Sequence, residues 1–285
     1  MRWRCRDRVF ELDDRVLVMG VLNVTPDSFS DGGRFFDPEA ARAHGLALRA
    51  QGADLIDVGA ESTRPGSVAV PFEEQWRRLE PVLRELGREP EMCLSVDTAS
   101  AEVAARALAL GARVINDVTA LSDPAMASVV GSAGAGLVLM HMRGTPVDMQ
   151  QDPRYADAPA EIAQWLEARL DHARGQGIED ECVALDPGIG FGKTLEHNLE
   201  LLARLDEIAA LQRPVVVGVS RKSFLGRLLD LPADQRLESG LAASAIAVFC
   251  GASIVRTHDV EATRRAVTVA AAIRAARATE SARRS

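Results

Sequence analysis

The feature that most restricts what this chain can fold into is a repeat. Eight short apolar runs of strand length, each closing on a polar residue, alternate with stretches of helical spacing. The runs cover residues 16–22, 55–58, 93–96, 113–115, 137–140, 183–185, 215–219 and 252–255. Helical stretches lie at about 38–51 and 71–86, up to Leu110, from Pro124, up to Arg174, around His197, at about 223–229 and 236–250, and from Glu261 onward. Asp37 and Pro38 read as a helix N-cap and first helical residue, and Gly111 as a C-cap. Continuous β-rich runs between helices imply a parallel sheet covered on both faces. Eight repeats favour a closed barrel over an open doubly wound sheet. The predicted fold is α/β, a (β/α)8 TIM barrel in one domain over residues 1–280. No composition break marks a linker. Residues 2–11 read as a short β-hairpin covering one end of the core, and 281–285 as a disordered tail.

A barrel of this kind binds its ligand at the C-terminal ends of the strands. Here those ends carry Asn23, Asp57, Asp97, Asn116, His141, Asp186, Lys222 and Arg256. All but two of the 33 basic residues are arginine, and asparagine occurs three times. Lys193, Lys222, Asn23 and Asn116 fall in these ends or the loops just after them, against the bias of the chain; Asn198 sits on a helix and reads as structural. Asp97, Asn116 and Asp186 supply acceptors, which suit a flat ligand rich in N–H donors, such as an aminopyrimidine. Arg64, Lys222, Arg256 and His258 supply cations. With Asn23 across the mouth, Arg256 and His258 suit a phosphate-like anion carrying Mg2+. Each residue also has a plainer role: Asp97 or Asp186 capping the next helix, Arg256 pairing with Asp259.

A net charge of -8 and a pI near 5.3 argue against a general nucleic-acid binder. No apolar run is long enough to span a membrane. The arginines at the N-terminus have no apolar segment behind them, unlike a secretory signal. Four scattered cysteines without metal-ligand spacing point to reduced, mostly buried thiols in a cytoplasmic protein.

The ordered motifs resemble those of dihydropteroate synthases. They are the run 19–33 from Met19 through Asn23 and Phe29 to Gly33, the segment 52–66 ending Glu61-Ser62-Thr63-Arg64-Pro65-Gly66, Ser95-Val96-Asp97-Thr98, Asn116-Asp117-Val118, Met140-His141-Met142, 185–193, 220–226 and 256–260. The resemblance covers about residues 16–275. It implies condensation of 6-hydroxymethyl-7,8-dihydropterin diphosphate with p-aminobenzoate, giving 7,8-dihydropteroate and pyrophosphate in folate synthesis. By the same resemblance Asp97, Asn116, Asp186 and Lys222 hold the pterin, with Asp97, Lys222 and Asp186 as the catalytic set. Asn23, Arg64, Arg256 and His258 hold the diphosphate, Asn23 ligates Mg2+, and Phe29, Thr63, Pro65 and Ser223 form the p-aminobenzoate pocket where sulfonamides compete. The implied mechanism is SN1-like, and the implied assembly a homodimer.

Rival readings share part of this pattern. A corrinoid methyltransferase domain using methyltetrahydrofolate has the barrel and acidic pocket but no need of the loops at 25–33 and 62–66. A Schiff-base aldolase needs a lysine of depressed pKa, and carboxylates near Lys222 should raise it. A barrel that binds pterin without turning it over is the non-enzymatic alternative. The Gly-, Ser-, Pro- and Asp-rich loops at 25–34 and 62–67 are expected to be mobile until ligand binds.

Overall fold

A computed structural model describes residues 1–13, 15–25, 38–62, 66–68, 70–89 and 91–284, with side chains to residue 277. The hairpin is β1 (Arg2–Cys5) and β2 (Arg8–Glu11), antiparallel. Eight parallel strands follow: β3 (Leu17–Asn23), β4 (Leu55–Gly59), β5 (Leu94–Asp97), β6 (Val114–Asp117), β7 (Gly136–Met140), β8 (Val183–Asp186), β9 (Val216–Gly218) and β10 (Ile254–Thr257). Their order is β8-β7-β6-β5-β4-β3-β10-β9. A parallel bridge between Leu185 and Val215, with Leu185 N–H donating to the Pro214 carbonyl at 2.8 Å, brings the outer strands together and closes the ring. The (β/α)8 expectation therefore holds.

Helices wrap the barrel: α1 (Pro38–Ala50), α2 (Phe72–Leu86), α3 (Ala101–Ala109), α4 (Met126–Ala133), α5 (Ala158–Gly175), α6 (Leu195–Ala203), α7 (Asp206–Ala209), α8 (Ser223–Leu229), α9 (Leu237–Phe249) and α10 (Val260–Arg284). Local chemistry sets several starts. Ser100 accepts from Val103 N–H ahead of α3, Asp157 from Ala160 N–H ahead of α5, and Thr194 with His197 closes a capping box on α6. The expected Asp37 cap lies outside the described residues. The backbone of α10 continues through 281–284, where the sequence suggested a tail; its Ala- and Arg-rich end has high helix propensity.

Alternation along each strand divides the protein into two layers. Odd positions of β3 and their register partners face the barrel axis. Leu17, Met19, Leu55, Cys93, Val114, Val138, Ala184, Val216 and Ile254 form the inner core, together with Trp3, Cys5, Phe10 and Leu12 of the hairpin region. Trp3 is fully buried and its indole N–H donates to the Cys182 carbonyl at 2.9 Å. The hairpin thus plugs the N-terminal end of the barrel, as its sequence suggested. The opposite faces, including Val18, Leu22, Ile56, Val58, Val96, Ile115 and Val255, pack against the helices.

Candidate active site

Moving two residues up five of the strands from the inner core replaces carbon with polar groups. Leu55 leads to Asp57 and Gly59, Cys93 to Ser95 and Asp97, Val114 to Asn116, Ala184 to Asp186, Ile254 to Arg256. The period of two in a strand keeps all of these on the axial face. Parallel register then lines up Asn23, Gly59, Asp97 and Asn116 as successive partners across β3 to β6. Gly59 has no side chain, so the Asn23 amide oxygen and the Asp97 carboxylate share the space above it, 3.8 Å from where its Cβ would stand.

The guanidinium of Arg256 crosses this layer. Its Nε donates to Asp57 Oδ2 at 2.7 Å and its Nη2 to Asp97 Oδ2 at 3.0 Å. Asp57 is fully buried, accepting also from Ser95 Oγ at 2.5 Å and from Asn116 Nδ2 at 3.1 Å. Burial pushes the Asp97 carboxyl up to about 7, against the pull of Arg256 and with the push of Asp57 and Glu61. Asp186 is raised by burial as well, while Lys222 opposes. Burial takes the Lys222 ammonium down to about 8 in spite of Asp186. This corrects the sequence argument about that lysine: the desolvation of the ammonium outweighs the attraction of the nearby carboxylate.

Lys222 is the residue before α8. Its Nζ donates to the Ile189 carbonyl and stands 4.4 Å from the centre of the Phe191 ring. The loop carrying those partners is held one carbonyl at a time. Gln150 takes Gly190 at 2.8 Å, Lys193 takes Phe191 at 2.8 Å, and the Tyr155 hydroxyl takes Gly192 at 2.9 Å. Asn198 accepts from Gly190 N–H at 2.6 Å, so its role is structural, as its helical position suggested. Gly188 has φ +67°, and a Cβ there would lie 1.9 Å from the His141 carbonyl, so the chain can turn here only with glycine.

Several expectations resolve differently. His141 follows the inward Met140 and points outward, 4.9 Å from the Trp165 ring of α5, with Lys193 Nζ 3.0 Å from its Nδ1. It is not part of the mouth, because strand alternation turns it toward the helices. Arg256 pairs with Asp57 and Asp97 rather than with Asp259, whose carboxylate holds Arg221 at 2.6 Å. Asp97 does not cap α3, since Ser100 does; Asp186 does hold a turn, accepting from Gly188 N–H at 2.7 Å. His258 lies just past β10, its Nδ1 3.2 Å from Ser220 Oγ. Asn23 is half-buried at the end of β3, and Ser223 is exposed at the start of α8. Phe29, Thr63, Arg64 and Pro65 lie outside the described residues. Asp57 and Ser95 were not among the sequence candidates for ligand contact. The sequence ran the second barrel strand over 55–58 and took Asp57 as its closing polar residue, whereas β4 runs to Gly59 and sets Asp57 one layer below the rim.

A closed (β/α)8 barrel with buried acceptors and cations at the C-terminal strand ends is the arrangement of barrel enzymes that bind a small polar ligand in the mouth. The model of the pterin binding enzyme family matches residues 19–258. Dihydropteroate synthase of Escherichia coli K12 is 44% identical over 252 residues, 88% of this chain and 89% of that protein. Among solved structures, Xanthomonas albilineans dihydropteroate synthase with 4-aminobenzoic acid superposes with a TM-score of 0.89 at 45% identity, covering 96% of this chain and 98% of that one. The same enzyme in complex with 7,8-dihydropteroate gives 0.86 at 42% identity, covering 96% and 99%. The chain belongs to the pterin-binding enzyme family, on its dihydropteroate synthase branch, and is a transferase of folate synthesis.

Proposed function

We propose that this mouth joins 6-hydroxymethyl-7,8-dihydropterin diphosphate to p-aminobenzoate, releasing pyrophosphate. The observation that supports this most is the inward layer Asp97, Asn116 and Asp186, flanked by Lys222 and Arg256. A pterin ring presents several N–H donors in one plane, and this layer presents acceptors. Asp97, Asn116, Asp186 and Lys222 hold the ring. Asn23, Arg64, Arg256 and His258 take the diphosphate, and Phe29, Thr63, Pro65 and Ser223 the p-aminobenzoate, with which sulfonamides compete.

The reaction is SN1-like. The C–O bond between the pterin methylene and the diphosphate breaks, and the diphosphate leaves with the electron pair. The methylene cation is delocalised into the ring, where the Asp97 and Asp186 carboxylates oppose its charge at fixed positions. The arylamine nitrogen then attacks the methylene and loses a proton. Cations at the rim receive the leaving group. A single amide oxygen, from Asn23, at the rim suits an Mg2+ that arrives on the diphosphate, because Mg2+ is commonly held by one or two protein oxygens plus substrate phosphates. That ion would neutralise the leaving charge.

Among the described residues no helix is long and apolar enough to cross a membrane. The four cysteines are unpaired, which suits the cytoplasmic setting we propose. Ile246 of α9 and Val269 and Ile273 of α10 are more than half exposed, and we propose that a second copy of the chain covers them in a homodimer.

Incubation with both substrates and Mg2+ tests the reading. Dihydropteroate and pyrophosphate should appear in equal amounts. Pterin binding with neither product would leave a non-catalytic barrel; methyl transfer from methyltetrahydrofolate would support the corrinoid alternative.

A further inference from the structure

We propose that Asp57 is a positioning residue that fixes which end of the Asn116 carboxamide faces the mouth, and thereby makes the pocket select ligands by their N–H donors. The inference rests on the pterin reading above and deepens it. An ionised carboxylate only accepts hydrogen bonds. Asp57 is fully buried and receives three donors: Ser95 Oγ at 2.5 Å, Arg256 Nε at 2.7 Å and Asn116 Nδ2 at 3.1 Å. With Arg256 and Ser95 donating into it, Asp57 keeps its role as acceptor. The Asn116 NH2 must then face Asp57, one layer below the rim, and its Oδ1 is left on the other side of the amide. Without that anchor the amide can turn by half a rotation at small cost and offer a donor where the ligand also has one. Asp57 touches no ligand in this account; it acts through Asn116.

The test is a donor–acceptor swap. Asp57→Asn removes the obligatory acceptor and should weaken binding of 6-hydroxymethylpterin at least tenfold in calorimetric titration. The reciprocal double variant, Asp57→Asn with Asn116→Asp, restores a donor below and an acceptor above with the same total charge and nearly the same shape. It should recover pterin affinity to within about threefold of wild type. Unaltered affinity in Asp57→Asn, or no recovery in the double variant, would overturn the proposal. If Asp57→Asn does not fold, Ser95→Ala carries the test. It frees the Asp57 rotamer, should weaken the pterin two- to fivefold, and contradicts the proposal if it has no effect.

A second readout needs no ligand. The chain has three asparagines, so selective 15N-asparagine labelling yields three side-chain NH2 pairs. The Asn116 pair should be a single sharp pair in wild type and split or broaden in Ser95→Ala, which, unlike Asp57→Asn, adds no fourth asparagine. An unchanged pair would contradict the proposal. Failure of wild type to bind pterin, with the NMR result intact, would instead count against the pterin reading and leave the Asp57–Asn116 anchor standing.

Discussion

At the scale of single residues, the account turns on which groups carry charge near neutral pH. Asp97 is useful to a ligand's N–H groups as a carboxylate, and burial holds its pKa at about 7. Lys222 is useful as an ammonium, and burial lowers it to about 8. The active form therefore has Asp97 ionised and Lys222 protonated. Activity, read as kcat/KM against pH, should rise through about 7 and fall above about 8. Asp97→Asn should nearly abolish pterin binding, since a lost charge-assisted hydrogen bond costs roughly 1.5–3 kcal/mol and a donor now faces a donor. The sign for stability is opposite. A carboxyl raised in the fold weakens the ligand-free protein as pH climbs from about 4, its ordinary value, to about 7. At pH 8 ligand-free Asp97→Asn should therefore unfold in denaturant no earlier than wild type. Binding within twofold of wild type, or marked loss of stability at pH 8, would contradict this. Lys222→Arg keeps the charge but not the shape. The lysine stem already crowds Gly190, whose Cβ would stand 3.0 Å from Lys222 Cδ. A broad guanidinium does not fit there. kcat/KM should fall at least a hundredfold, roughly 2.7 kcal/mol, and near-normal turnover would show that lysine is not required.

At the scale of elements, the hairpin and the mouth are at opposite ends of the same strands. Trp3 stabilises one end without touching the other. Trp3→Ala should cost about 3–5 kcal/mol, because a fully buried indole leaves a cavity and an unpaired carbonyl. Denaturant unfolding reads that loss; kcat of the folded fraction should hold, and a parallel fall in kcat would mean that the hairpin shapes the site. The strands and the residues that end them were legible because apolar runs and the polar residues closing them are local. Parity was less so. Whether Asp57 lies at the rim or one layer down, and whether His141 faces the axis or α5, depends on where a strand stops, and a shift of one residue reverses the face. Asp57 shows the cost: taken as the polar residue that closes β4, although the strand runs to Gly59, a buried anchor looks like a rim group. The pairing of Arg256 was not legible at all. It is decided by Asp57 and Asp97, which lie 199 and 159 residues away along the chain.

At the scale of the whole molecule, the proposed acceptor layer is assigned to the pterin, and the proposed p-aminobenzoate site draws on the segments at 25–34 and 62–67. The sequence expects these Gly-, Ser-, Pro- and Asp-rich segments to order only with ligand, and ordering backbone costs roughly 1–2 kcal/mol per residue. A ten-atom monoanion gains at best about 1.5 kcal/mol per heavy atom. A pyrophosphate that draws in Arg64 and Asn23 would meet part of that cost first. Pyrophosphate with Mg2+ should then tighten p-aminobenzoate binding in calorimetric titration even without pterin. Equal affinity with and without those ions would show a pocket formed in advance. The α9–α10 face makes a separate prediction. Ile246→Glu with Ile273→Glu should shift the protein from dimer to monomer in light scattering; an unchanged mass would place any dimer contact elsewhere.

The central claim is that the inward polar layer of the barrel is a pterin pocket. Crystals soaked with 6-hydroxymethylpterin test it most directly. The ring should lie within hydrogen-bond distance of Asp97, Asn116 and Asp186, beside Lys222, with Arg256 drawn away from Asp97 to make room. A pterin bound outside that layer, or one that leaves the Arg256–Asp97 pair at 3.0 Å, would contradict the account.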